Sequence, residues 1–114
     1  MMMTLSGFKS IPGIAGYLVS SDGKIWCKRY KRFLKPYLEH GYEKIGLTYD
    51  GSRKKHYVHR LVYMAFHGMS ELPIGYEIDH IDFNRANNRP ENLRLVTHAE
   101  NVAHSVAAGR LRRS

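Results

Sequence analysis

A single cysteine, Cys27, is all the thiol this 114-residue sequence has. That excludes an intrachain disulfide and any four-thiolate zinc site, and such sparse usage fits a reducing compartment. Nowhere does an apolar run approach the roughly 20 residues needed to span a bilayer. Met1 to Lys9 lacks the charged stretch and apolar core that mark a secretory signal. The expectation is a soluble, cytoplasmic protein with no membrane partner. Internal repeats and low-complexity tracts are missing too. Acidic charge is scarce: 10 Asp and Glu stand against 18 Lys and Arg, a formal net charge of +8. That balance suits a nucleic-acid partner, although a basic surface kept for solubility gives the same number. A chain of this length has room for one compact domain, alone or with a short arm. It can bury roughly two thirds of its unfolded surface without disulfide staples.

What is present falls into two stretches. The first reads as short strands: Gly16-Tyr17-Leu18-Val19, a turn at Asp22-Gly23, then Lys24-Ile25-Trp26-Cys27. Asp-Gly between apolar runs signals a type I′ hairpin, whose two central residues both need positive φ. Tyr42 to Tyr49 alternates imperfectly, Asp50-Gly51 supplies another turn, and His56-Tyr57-Val58 can return. One small antiparallel sheet over about residues 16 to 58 is expected. From His59 to His67 the spacing of Leu61, Val62, Ala65 and Phe66 predicts a helix with one apolar face, stopped at Gly68. Tyr63 and Met64 on it belong to the core or its flank.

The second stretch, residues 76 to 108, reads as strand, loop, strand and helix. Tyr76 to Ile81 is a short apolar-rich run, and Asp82 to Asn92 is polar, rich in asparagine and interrupted by Pro90. The latter is too polar for a core element and reads as an ordered loop. Leu93-Arg94-Leu95-Val96 can form the second strand. Thr97-His98-Ala99-Glu100 has capping-box spacing, so a helix should start after Thr97, run to about Ala108 and end at Gly109. Such a unit can fold around a divalent ion if strand and helix each contribute an oxygen ligand. Asp79 near the first strand's end and Asn101 early in the helix offer a carboxylate and an amide. Both are hard donors suited to one Mg²⁺ or Mn²⁺ rather than zinc. His80 is placed to take a proton from water, since an ordinary imidazole, with a pKa near ~6.5, is mostly neutral at cellular pH. Neighbours on a strand point to opposite faces, so Asp79 and His80 serve one phosphate only if the strand end is irregular. The Asp82, Asn84, Asn87 and Asn88 cluster is not an EF-hand. Counted from Asp79, the sixth and twelfth positions are Asn84 and Pro90, where Gly and Glu are required.

Residues 78 to 101 resemble the HNH endonuclease family, the ββα-metal or His-Me finger nucleases. The resemblance rests on Ile78-Asp79-His80-Ile81-Asp82, Asn87-Asn88-Arg89-Pro90-Glu91-Asn92-Leu93-Arg94, Val96-Thr97 and Glu100-Asn101. His80 matches the family's first histidine, the general base, and Asn92 the central asparagine that braces the loop. Asn101 stands where many members have a last histidine and one large branch has asparagine. In that branch an aspartate before the histidine, here Asp79, binds a single metal together with that asparagine. His59-Arg60-Leu61-Val62 with Ala65-Phe66 resembles the helix preceding the motif in phage-type members. Ile11 to Tyr17 resembles, more loosely, a module found at their N-termini. The resemblance implies metal-dependent phosphodiester hydrolysis in double-stranded DNA by a nicking or homing-type enzyme, in a host cytoplasm if phage-encoded.

Other residues carry weaker readings. Lys28, Arg29, Lys31, Arg32 and Lys35 mix with aromatics, and Arg53-Lys54-Lys55 and Arg110, Arg112 and Arg113 form further basic runs. All are candidate phosphate contacts; each run alone is equally a solvated face. His59 can contact phosphate or cap its helix. His104, one turn beyond Asn101, can approach the metal or a phosphate, although a solvent-facing position is the stronger expectation, and His40, His56, His67 and His98 demand no chemistry. The sequence thus predicts an α+β chain in three parts. Residues 1–58 form the sheet and DNA-contact region, 59–108 the helix and ββα-metal catalytic unit, and 109–114 a basic tail. A non-catalytic DNA-binding protein of the same fold, action on RNA, and pairing with a second copy all stay open at this point.

Overall fold

In the computed structural model, which describes residues 7–109, the N-terminal strands form two antiparallel sheets rather than the expected one. Strands β1 (Lys9–Ile11), β2 (Ile14–Val19), β3 (Ile25–Cys27) and β4 (Arg32–Phe33) follow one another in the first. Strands β5 (Tyr37–Glu39), β6 (Tyr42–Tyr49) and β7 (Ser52–Tyr57) make the second. The connection between the sheets contains Pro36, which has no N–H to give a ladder, so the chain leaves one sheet there and starts another. β1, β4 and β5 are too short to leave a periodic signal in the sequence.

The hairpin turns differ in kind. At the expected turn Asp50-Gly51, φ is 51° and 78°, which makes it type I′, with Tyr49 paired to Ser52 across it. His40 and Gly41, at 55° and 81°, make a second turn of that type that the sequence reading passed over. The expected type I′ turn at Asp22-Gly23 is not formed, because only Gly23 has positive φ. The loop is wider there. Gly23 N–H donates to the Ser20 carbonyl at 3.0 Å, and Ser20 Oγ accepts from the Lys24 N–H at 3.0 Å.

Helix α1 (Val58–His67) packs on both sheets through Val58, Leu61, Val62 and Ala65. It ends at Gly68, which adopts the left-handed conformation (φ 65°) and sends its N–H back to Met64. The buried cluster runs from Ile11, Val19 and Ile25 through Ile45, Leu47 and α1 to Ile78 and Leu93. Hydrophobic burial is therefore continuous across the expected boundary between residues 58 and 59. No helix among the described residues is long and apolar enough to cross a membrane.

The C-terminal unit follows the expected order. β8 (Tyr76–His80) pairs antiparallel with β9 (Leu93–Thr97), joined by the polar loop and a 3₁₀ turn at Pro90–Asn92. Helix α2 (His98–Ala107) opens on a complete capping box. The Glu100 N–H donates to Thr97 Oγ1 at 3.1 Å, and the Thr97 N–H donates to Glu100 Oε1 at 2.8 Å. Two of the helix's orphan donors are satisfied in this way, which fixes where Asn101 stands. Removing the cap with Thr97→Ala should lower stability by about 1 kcal/mol. Urea denaturation measures the loss, and hydrogen exchange should quicken first at the start of α2. Unchanged exchange there would mean that packing alone holds the helix.

Candidate active site

The loop from Asp82 to Asn92 buries little apolar surface, so its shape has to come from hydrogen bonds. Asn92, buried at its base, takes part in three of them through its side chain. Its Oδ1 accepts from the Asp82 N–H at 3.0 Å, and its Nδ2 donates to Asp82 Oδ1 and to the Asn87 carbonyl, both at 2.9 Å. Asp82 also accepts from Asn87 Nδ2 at 2.8 Å and from the Asn84 N–H at 2.8 Å. Those donors, Asn87 first, hold the Asp82 carboxyl below its usual range despite some desolvation. Asn92 thus occupies a bracing position in the loop, away from the cleft described below.

His80 ends β8, and the chain turns at once: its carbonyl accepts from the Phe83 N–H at 2.9 Å, and Phe83 has φ of 65°. This is the irregular strand end that lets Asp79 and His80 face one cleft. The His80 ring is only 5% exposed. Its Nε2 lies 2.8 Å from Asn88 Oδ1, and Asn88 Nδ2 donates to Glu43 Oε1 on β6 at 2.9 Å. Beside His80 lie the rings of His59, 5.0 Å away between centroids, and Tyr42 at 6.0 Å.

A cleft of about 270 Å³ is lined by Asp79, His80 and Asn101, with Tyr42, Phe83 and Arg85. Asp79 is buried, and one of its oxygens, Oδ2, is approached by both Arg94 and His104. Arg94 Nε donates to it at 3.0 Å, and His104 Nδ1 lies 2.9 Å away, without the alignment of a hydrogen bond. Oδ1 has no hydrogen-bond partner among the described residues. The Asn101 amide nitrogen donates to Glu77 Oε1, which leaves the amide oxygen likewise without a protein partner there. The donors on offer are therefore a carboxylate oxygen and an amide oxygen, a set that fits a hard divalent cation. Among the described residues no group of three or more His, Cys, Asp or Glu is placed to hold an ion. Two protein oxygens completed by water and phosphate are the arrangement Mg²⁺ commonly takes.

Arg85 went unread in the sequence, and two histidines stand otherwise than expected. Arg85 lines the cleft and is held from outside the loop: Nη1 donates to the His40 carbonyl at 3.0 Å, and the guanidinium lies 4.5 Å from the Tyr42 ring centroid. His104 does not face solvent as expected. It stacks on Phe83 at 4.5 Å beside Asp79, because residues three apart on a helix share a face with Asn101. His59, a candidate for phosphate contact or capping, is buried; the helix N-cap is Tyr57, with no side-chain cap bond.

Lys28, Arg29, Lys31, Arg32, Lys35, Arg53, Lys54 and Lys55 are all exposed. Arg29, Arg32, Lys35 and Arg53 line a second, larger cleft of about 640 Å³ beside Tyr17 and Tyr30, away from Asp79. Gly46 makes room for Arg53 there: a Cβ at that position would come within 2.6 Å of the guanidinium. The larger cleft is cationic and holds no carboxylate, so the candidate active site is the smaller one. Arg110, Arg112 and Arg113 lie outside the described residues.

The HNH endonuclease family profile matches residues 56–103, the stretch that contains this constellation. The chain belongs to the HNH endonuclease family. Over 106 residues it is 38% identical to the DNA endonuclease I-HmuI of Bacillus phage SP01, an alignment covering 91% of this chain and 60% of that protein. It is 30% identical over 96 residues to the H-N-H endonuclease F-TflII of Escherichia phage T5, covering 83% and 50%. A solved structure of DNA binding and cleavage by the HNH homing endonuclease I-HmuI matches with a TM-score of 0.79 at 34% identity. That match covers 93% of this chain and 61% of the other. This HNH chain thus spans between half and about three fifths of the length of these relatives.

Within the HNH unit, burial first, then His80 and Arg60, pushes the His59 imidazole down to about 3. Its ordinary value, kept in the unfolded chain, is about 6.5. Below pH 6.5 the unfolded chain takes up a proton that the folded chain refuses until about pH 3. Stability contributed above pH 6.5 is therefore lost as pH falls through that window, at up to about 1.4 kcal/mol per pH unit. His59→Phe keeps an aromatic ring and removes the proton site. Urea titrations at about pH 7 and about pH 5 should give a smaller loss on acidification than in the unmodified protein. An equal loss would mean that His59 titrates alike folded and unfolded.

Proposed function

We propose that the protein is a divalent-metal-dependent DNA endonuclease that hydrolyses one phosphodiester per active unit, nicking duplex DNA. The observation that carries this reading is the convergence of Asp79, His80 and Asn101 on one cleft. Membership of a family whose named members include DNA endonucleases supports it.

In this reading a phosphate enters the cleft between Asp79 and Asn101 on one side and Arg85 on the other. Asp79 and Asn101 would hold the cation through their oxygens. A bound Mg²⁺ or Mn²⁺ supplies charge stabilisation at the phosphate and at the departing 3′ oxygen. His80 takes a proton from water as the oxygen attacks phosphorus, and the bond from phosphorus to the 3′ oxygen breaks, that oxygen gaining a proton from solvent water. Arg85 meets the phosphate with N–H groups not used by His40, and its two anchors limit the freedom it loses on doing so. The exposed cations of the two N-terminal sheets contact backbone phosphates on either side. One site per chain holds one phosphate, which favours nicking over double-strand cutting unless two copies meet.

Supercoiled plasmid tests the proposal. Relaxation in Mg²⁺ or Mn²⁺ and none in EDTA is expected. Loss of the base in His80→Ala should slow cleavage by about 10²–10⁴ while a gel shift on the same DNA stays near that of the parent protein. A shift with no cleavage under either metal would leave a DNA-binding protein that keeps the fold. Arg85→Ala should also slow cleavage, and Arg85→Lys should restore little, since an ammonium lacks the planar fork. Full activity in Arg85→Ala would remove that residue from the phosphate site.

A further inference from the structure

We propose that Glu43 and Asn88 set the tautomer of His80, so that the N-terminal strands act on the catalytic base itself. The inference rests on reading His80 as that base, and its geometry rests on three buried or half-buried side chains. A carboxylate only accepts hydrogen bonds, so the Asn88 atom 2.9 Å from Glu43 has to be the amide nitrogen. Chemistry thereby decides the orientation of the amide. Its other end, the oxygen, lies 2.8 Å from His80 Nε2. An amide oxygen also only accepts, so Nε2 has to carry the proton. In a neutral ring the lone pair then sits on Nδ1. That atom has no hydrogen-bond partner among the described residues, while the ring lines the cleft with Asp79 and Asn101.

Take away the carboxylate and the constraint disappears. The Asn88 amide can turn over and donate to Nε2, which transfers the ring proton to Nδ1. The lone pair is then tied up against Asn88, and the ring cannot take a proton from water in the cleft. A histidine base held in the wrong tautomer loses most of its effect although its position is unchanged.

The backbone of Asn88 is fixed from the same side of the molecule. A Cβ on Gly23 would fall 2.2 Å from the Asn88 carbonyl oxygen and 2.6 Å from its carbon. The turn between β2 and β3 is therefore packed hard against the loop, and glycine is what permits the approach. One N-terminal hairpin seats Asn88, and a strand of the other sheet orients its side chain. Both lie outside residues 56–103, the stretch that matches the family profile.

The experiment compares the full chain with Glu43→Gln and Glu43→Leu, using nitrogen NMR of the His80 ring in metal-free protein at alkaline pH. The parent protein should carry its proton on Nε2. Gln accepts or donates equally well, so Glu43→Gln should give a mixture of tautomers. Glu43→Leu should move the proton largely to Nδ1. In plasmid cleavage kcat should fall in the same order, by up to about 10²–10⁴ for Glu43→Leu, with KM unchanged. Glu43→Gln keeps volume and polarity, so it carries the test even if the leucine variant fails to fold. An Nδ1-protonated ring in the parent protein, or a tautomer that ignores both substitutions, overturns the inference. If the tautomer shifts as described while the parent protein cuts nothing, the inference stands and the nuclease reading falls alone.

Discussion

The bonds that Asn92 makes across the base of the polar loop are what the rest of the site depends on. Between Asp82 and Asn92 there is too little apolar surface to fix a conformation by burial, so the backbone entropy of ordering has to be met by hydrogen bonds. A surface loop can leave such bonds to water. This one cannot, because Asn92 and Asn88 are buried and their amides have to be matched inside the protein. Asn92 joins the start, middle and end of the loop, and Asp82 collects donors from Asn84, Asn87 and Asn92. Where Asn88 stands, and with it the environment of His80, follows from that arrangement.

The features legible in the sequence are those whose cause is local. Thr97 and Glu100 cap α2 because a threonine and a glutamate three residues apart can reach each other's backbone in any helix. Gly68 ends α1, and Asp50-Gly51 turns β6 into β7, for reasons confined to their own φ angles. Asp79, His80 and Asn101 could be picked out because motif spacing survives without knowledge of what surrounds it. The two-sheet division was not legible, since a two-residue strand such as Arg32–Phe33 leaves no period to detect. Nor was the role of Arg85 or Glu43. The bonds from Arg85 to His40 and from Asn88 to Glu43 each join residues 45 positions apart, and nothing local marks either. His104 is the exception, because its three-residue offset from Asn101 did place it on the same helical face.

Electrostatics divides the molecule along the same lines. Four cations with no carboxylate line the larger cleft, where backbone phosphates can be met without any buried charge to compensate. The smaller cleft works under the opposite condition. Asp79, 7% exposed, would be costly as a lone ion, and Arg94 offsets that by donating to one of its two oxygens. Because Arg94 and His104 both approach Oδ2, the compensation is confined to one side of the carboxylate. Oδ1 keeps its lone pairs for the cleft. A bidentate arginine would have closed both oxygens and left a carboxylate satisfied by the protein alone.

A continuous core gives the distant contacts their meaning. Glu43 can orient Asn88 only if β6 keeps its position relative to the loop to within a hydrogen bond's tolerance of a few tenths of an ångström. Isolated side-chain bonds across a flexible joint would not hold that. Here Ile45 and Leu47, on the same strand as Glu43, are buried in the cluster that also contains Leu61 of α1 and Ile78 and Leu93 of the paired strands β8 and β9. Close-packed interiors deform little, so a strand anchored at Ile45 carries Glu43 with it as a rigid extension. The sheets and the ββα unit are therefore one mechanical body. The site at the end of β8 draws its geometry from residues that the motif itself does not contain.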